Sequence, residues 1–211
     1  IAQLLEGIHE INPFSEEIEV TLEANPGTFE QQRFTDYRKA GINRLSIGIQ
    51  SYNSAHLKSL GRVHDSAEAL NAASIAKQAG FDNFNLDLMF GLPEQSIDEA
   101  ISDLQQAIDC KPSHLSWYQL TLEPNTLFHH QQPTLPDHEL LWEMQNTGQT
   151  LLADNNYQQY EVSAYSQVNK QCLHNRNYWE FGDYIGIGAG AHGKLTRKDG
   201  TIRRYQKYRQ P

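Results

Sequence analysis

One plan recurs along this chain and limits its possible folds more than any other feature: a helical pattern, a small residue or turn, then a β-rich run. "FTDYRKAGINRLSIGIQS", "ALNAASIAKQAGFDNFNLDLMFG", "ISDLQQAIDCKPSHLSWYQLTLE" and "LLADNNYQQYEVSAY" all follow it. Ala40-Gly41 and Ala79-Gly80 stand where a helix takes its C-terminal glycine. The β-rich runs are expected at 18–23, 44–49, 83–88, 114–121, 158–163 and 184–188. Strands alternating with helices imply right-handed βαβ units and a parallel sheet.

The strand ends distinguish a barrel from an open nucleotide-binding sheet. Glu23, Gln50, Asp87, Gln119, Thr121, Glu161 and Ser163 lie at or near the carboxyl ends of successive runs, which is where a (β/α) barrel builds its active-site ring. The competing glycine fingerprint of a dinucleotide fold should open a helix directly after a strand. "GIGAGAHG" instead leads into "KLTRKDG", which has no helical pattern. The expected fold is therefore α/β, a partial TIM-like (β/α) barrel with parallel strands. A full barrel uses about 250 residues, so the first strands are expected to lie before Ile1.

Charge is unevenly spread. The net charge is −9, yet residues 194–211 hold seven of the 17 basic side chains and one of the 26 acidic ones. The acidic body repels nucleic acid. The basic end reads either as a solvated hairpin turning at Asp199-Gly200 or as a contact for an anionic partner. There is no apolar run near 18 residues, so no transmembrane helix is expected. "IAQLLEGIHEI" lacks the basic and small-residue marks of a signal peptide and reads as the middle of a helix, so the chain is expected to be part of a longer protein. Two cysteines, Cys110 and Cys172, form no disulfide framework and suit a reducing cytoplasm.

Late in the chain, "HNRNYWEFGDYIGIGAGAHG" at 174–193 combines dense aromatics with dense glycines. That block, with "LEANPGT" at 22–28, "GINRLSIGIQS" at 41–51, "LGRVH" at 60–64, "NLDLMFGLPEQ" at 85–95 and "HLSWYQLTLEPNT" at 114–126, resembles the radical S-adenosylmethionine superfamily. Within it the motifs are similar to the branch that holds oxygen-independent coproporphyrinogen III oxidase and the HemW-type haem chaperones. The "HNxxYW" block points to the chaperones.

This resemblance implies a protein that binds haem and passes it to haem-accepting proteins, membrane-associated acceptors included, with S-adenosylmethionine and a 4Fe-4S cluster as further cofactors. The alternative it implies is an enzyme that oxidatively decarboxylates coproporphyrinogen III, and it leaves open whether the chain is catalytic. The family's three-cysteine loop is absent and expected before Ile1. Residues 1–193 would be the partial barrel, and 194–211 a basic hairpin leading to a further domain. The resemblance assigns S-adenosylmethionine binding to Glu23, Gln50, Arg62, Asp87, Thr121 and His192. It assigns haem binding to His174, Asn175, Tyr178 and Trp179, with His174 on the iron. The residue types suit these ligands. Carboxylates accept from hydroxyl and ammonium donors, an arginine fork suits a carboxylate, and a neutral imidazole binds haem iron. Read from the residues alone, Arg62 is equally a surface arginine, His174 is sooner a packing residue that caps a loop, and His192 reads as a loop hydrogen bonder.

Overall fold

The computed structural model describes residues 1–26 and 31–209. Gly27 and Thr28, the end of the "LEANPGT" motif, lie outside the described residues. The chain divides into two compact units, Ile1–Lys170 and Gln171–Pro211. Residues 171–193, expected with the barrel, fall in the second unit with the hairpin.

In the first unit the elements run α1 (Ala2–Ile11), β1 (Thr21–Ala24), α2 (Gln31–Lys39), β2 (Arg44–Gln50), α3 (Ser54–Ser59), α4 (Ser66–Gln78), β3 (Phe84–Phe90), α5 (Ile97–Asp109), β4 (His114–Gln119), α6 (Leu127–Gln131), α7 (His138–Asp154), β5 (Gln158–Gln159) and β6 (Ala164–Ser166). Each of the two alanine-glycine pairs closes its helix as expected. Gly41 and Gly80 have φ of 102° and 85°. The next amides, Ile42 and Phe81, reach back to the Tyr37 and Ala76 carbonyls at 3.1 Å, the bond that closes a Schellman end. Helices α4 and α5 open with capping boxes, Asp65 with Glu68 and Ser96 with Glu99.

β1 to β4 pair in parallel, in order, as βαβ units require. The fifth unit departs from the expected continuous parallel strand at 158–163. Helix α7 delivers the two-residue β5 in the parallel direction, but the chain turns at 160–163 and returns as β6. β6 inserts between β4 and β5, antiparallel to both. The residues expected to continue the strand, Glu161 to Ser163, form this turn, where Val162 is exposed.

Period-two alternation gives the sheet two unlike faces. Leu45, Ile47, Ile49, Phe84, Leu86, Leu88, Phe90, Leu115 and Trp117 are buried in one apolar core. They pack with the alanine stripe of α4 (Ala69, Ala72, Ala73, Ala76) and with Leu104 of α5 and Met144 of α7. The intervening positions carry Ser46, Gly48, Gln50, Asn85, Asp87, Met89, His114, Ser116 and Tyr118.

The second unit holds α8 (Leu173–Trp179) and the hairpin β7 (His192–Thr196) and β8 (Ile202–Gln206). The hairpin turns where expected, with Gly200 at φ 82° and the Arg197 amide on the Thr201 carbonyl at 2.9 Å. The strand expected at 184–188 does not form. Only Tyr184 bridges, to Lys194, because the chain departs into the glycine turn where Gly188 has φ 101° and Gly190 φ 73°.

Candidate functional site

The parallel register lines up the polar residues of the first unit. Glu23 lies beside Ser46, Gly48 beside Asp87, and Asp87 beside Ser116. The strand β2 ends on a bulge between Gly48 and Gln50, and Gln50 has φ 62°. The bulge re-aims the Gln50 side chain. Its Oε1 accepts from Arg62 Nε at 2.7 Å and closely from Arg62 Nη2. Arg62 follows α3 and also donates through Nη2 to Asn25 Oδ1 at 3.3 Å and to the Gly48 carbonyl at 3.4 Å. Gly48 makes this convergence possible, since a β-carbon there would stand 2.7 Å from Gln50 Nε2.

Asp87 is held from its own sheet face. Ser46 Oγ donates to Oδ2 at 3.1 Å and Asn85 Nδ2 donates to Oδ1 at 2.7 Å. Tyr118, on the next strand, completes the group. Burial and then the neighbouring Asp87 charge push its hydroxyl above the ordinary value, against the opposing effects of a Gln50 hydrogen bond and the Arg62 charge.

Of the residues expected to hold S-adenosylmethionine, the structure therefore gathers Gln50, Arg62 and Asp87. Glu23 stands one strand away, exposed, and its carboxylate makes no hydrogen bond among the described residues. Thr121 lies past β4, bonds Glu123 at 3.0 Å, and shares a 470 Å³ groove with Lys58 to Gly61, just before Arg62. His192 belongs to the second unit, exposed at the start of β7.

The donor set suits a zwitterionic nucleoside. Arg62 Nη1 makes no hydrogen bond among the described residues and offers a donor to a carboxylate. The Glu23 carboxylate offers an acceptor to an ammonium or hydroxyl. A 4Fe-4S cluster held by three thiolates, in contrast, has no ligand set within these 211 residues, whose cysteines are Cys110 and Cys172.

In the second unit, α8 carries the aromatic block. His174 and Tyr178 stand four residues apart, as do Asn175 and Trp179, so each pair shares a helix face. Tyr178 and Trp179 are 56% and 61% exposed, large values for such side chains, and Phe181, Ile185 and Ile187 are exposed as well. His174 Nδ1 lies 3.2 Å from Cys172 Sγ. Tyr178 meets Tyr184 edge-on at 4.9 Å.

Lys194 anchors the end of this helix to the hairpin. Its ammonium donates to the Phe181 carbonyl at 2.7 Å, to the Gly182 carbonyl at 3.3 Å and to Asp183 Oδ1 at 3.0 Å. The Thr196 amide, then the Lys194 and Thr196 side chains, hold the Asp183 carboxyl below its usual value.

Sequence reasoning missed Asn25, Ser46, Asn85, His114, Ser116, Tyr118 and Lys194. For β3 and β4 a signal was available: alternate residues of "FNLDLMF" and "HLSWYQ" are polar or hydroxylated.

A profile of the Radical SAM superfamily matches residues 1–107. The chain is 56% identical over 208 residues to a protein of Escherichia coli (strain K12) named "Heme chaperone HemW", covering 99% of this chain and 55% of that protein. A protein of the same name from Haemophilus influenzae is 54% identical over 211 residues, again covering 55% of its length. The chain thus spans about half the length of these curated relatives. Among solved structures, coproporphyrinogen III oxidase (HemN) from Escherichia coli superposes with a TM-score of 0.77 at 21% identity, covering 91% of this chain and 48% of that one. That likeness is one of fold.

Proposed function

The chain belongs to the Radical SAM superfamily, and from that premise we propose that it is part of a haem chaperone of the HemW type. The observation that carries the reading is the identity of more than half, along essentially the whole chain, to proteins bearing that name. In this reading Gln50, Arg62, Asp87, Glu23 and Thr121 hold S-adenosylmethionine, and a cluster bound elsewhere in the protein completes the cofactor set. The carboxylates take the ligand's ammonium and hydroxyls, and Arg62 takes its carboxylate. Haem is the cargo. His174 offers its iron a nitrogen, Asn175 lies beside it, and Tyr178 and Trp179 cover part of the macrocycle, an apolar surface that their exposed rings suit. The recipients are haem proteins, membrane-associated ones included, and the site of action is the cytoplasm. No described helix is long and apolar enough to cross a membrane. Oxidative decarboxylation of coproporphyrinogen III has only shared fold behind it.

The test is His174→Ala in the intact protein. The Soret band of its haem complex should shift and haem affinity should fall without vanishing, because the aromatic rings still bury apolar area at roughly 25 cal/mol per Å². A folded, haem-bound variant with the wild-type spectrum removes His174 from the iron.

A further inference from the structure

Asp87 is the inward end of a hydrogen-bonded chain that crosses the sheet. Asn85 Nδ2 is 2.7 Å from Asp87 Oδ1 and 3.0 Å from Ser46 Oγ. On the other side of the amide, Asn85 Oδ1 is 2.7 Å from His114 Nδ1 and 3.2 Å from Ser116 Oγ. His114 Nε2 is in turn 2.6 Å from the Tyr160 hydroxyl, and the two rings meet edge-on. His114 is fully buried and Asn85 2% exposed, so water does not compete for these two side chains, while Asp87 and Tyr160 are half-buried.

The direction of every bond follows from the carboxylate. An ionised Asp87 only accepts, so the Asn85 amide must turn its NH₂ toward it. That leaves Asn85 Oδ1, an acceptor, facing His114 Nδ1, which must therefore carry a hydrogen. An imidazole whose single N–H hydrogen sits at Nδ1 accepts at Nε2, and in that tautomer Tyr160 donates. Tyr160 O–H to His114, His114 N–H to Asn85 and Asn85 N–H to Asp87 all point one way, toward the carboxylate. Hydrogen bonds aligned in series polarise one another.

We propose that His114 and Tyr160 are positioning residues for the S-adenosylmethionine site: through Asn85 they fix the direction of the Asp87 carboxylate. Tyr160 comes from the turn between β5 and β6, so the inserted hairpin brings it to His114. The inference rests on the reading of Asp87 as a cofactor-binding residue, and the experiment separates the two.

S-adenosylmethionine is titrated calorimetrically into the intact protein and into Tyr160→Phe, Asp87→Ala and the double variant. Tyr160→Phe keeps the ring and removes only the donor. It should raise the Kd about three- to tenfold, the share of one half-buried hydrogen bond. In the Asp87→Ala background the same change should have no effect, an outcome that a merely structural tyrosine would not give. His114→Asn, which keeps an N–H near the Nδ1 position but loses the acceptor for Tyr160, should bind about as weakly as Tyr160→Phe, whereas His114→Leu, which loses both, should bind more weakly still. An unchanged Kd in Tyr160→Phe beside a weakened Asp87→Ala overturns the relay alone. Equal losses from Tyr160→Phe with and without Asp87 also overturn it. An unchanged Kd in Asp87→Ala overturns the cofactor reading itself, and the relay with it. Should Tyr160→Phe fail to fold, the two His114 variants decide: equal affinities in Asn and Leu overturn the relay.

Discussion

Replacing Gly48 by alanine separates binding from folding. The added β-carbon would lie 2.7 Å from Gln50 Nε2, 3.1 Å from Arg62 Nη2 and 3.3 Å from Asn25 Oδ1. All three neighbours are ends of side chains, so they can swing away and the strand backbone stays in place. Away from any such contact, alanine in a strand gains about 0.5–1 kcal/mol over glycine. The cost falls on the site. Separating Gln50 from Arg62 breaks a hydrogen bond to a charged group, worth about 1.5–3 kcal/mol. Arg62 is only half-buried, so water and alanine's backbone gain offset most of that in the fold, while a guanidinium turned away from the ligand's carboxylate forfeits a charge-assisted hydrogen bond, about 1–2 kcal/mol in affinity or roughly five- to thirtyfold in Kd. Calorimetric titration of S-adenosylmethionine into Gly48→Ala, with a thermal melt on the same sample, reads both quantities. The expected pair is a weakened Kd and a melting temperature near wild type. A variant that melts normally and binds normally would refute the argument that Gly48 keeps the Gln50–Arg62 pair in register with the ligand.

Two further outcomes concern stability. Gly148→Ala should destabilise by about 1–3 kcal/mol through overpacking, even though alanine gains about 1 kcal/mol in a helix. The new β-carbon meets Trp117 Cη2 at 1.9 Å, and that ring is buried against Phe90 with centroids 4.4 Å apart. Denaturant melts check this, and adding Trp117→Leu should recover most of the loss. Asp103 gives a pH test. Burial, its largest influence, raises its pKa against the Ser51 and Tyr52 hydrogen bonds. A carboxyl raised in the folded state adds stability that is full below its unfolded value, about 3.9, and is lost as pH rises through its folded value. Melting wild type beside Asp103→Asn from about pH 7 down to 4 should show wild type gaining on the variant as pH falls; parallel curves would contradict it.

What could be read from the sequence was local. The strands β2, β3 and β4, the two Schellman glycines and the Asp199-Gly200 turn follow from period and turn chemistry within a few residues. The relay behind Asp87 could not be read that way. Asn85 and His114, 29 residues apart, meet because parallel register sets them side by side, and Tyr160, 46 residues further on, reaches them only because the antiparallel β5–β6 hairpin inserts there. Charge alone groups Lys194 with the basic tail, although its ammonium is buried against two carbonyls and Asp183. No charge count shows that, because the partners lie 11 to 13 residues upstream, beyond a turn. The run 158–163 misled for a similar reason: a β-rich composition does not say where a strand reverses.

The inserted hairpin also bears on how the sheet meets other chains. An edge strand is a template for pairing in proportion to the unpaired backbone groups it shows, and short, polar edges are poor templates. On one side the sheet ends in β5, two exposed glutamines long. On the other it ends in β1, four residues with a mostly half-buried pattern. Aggregation through the β5 side is thereby suppressed without a proline or a bulge. Any strand that adds to this sheet is directed to β1.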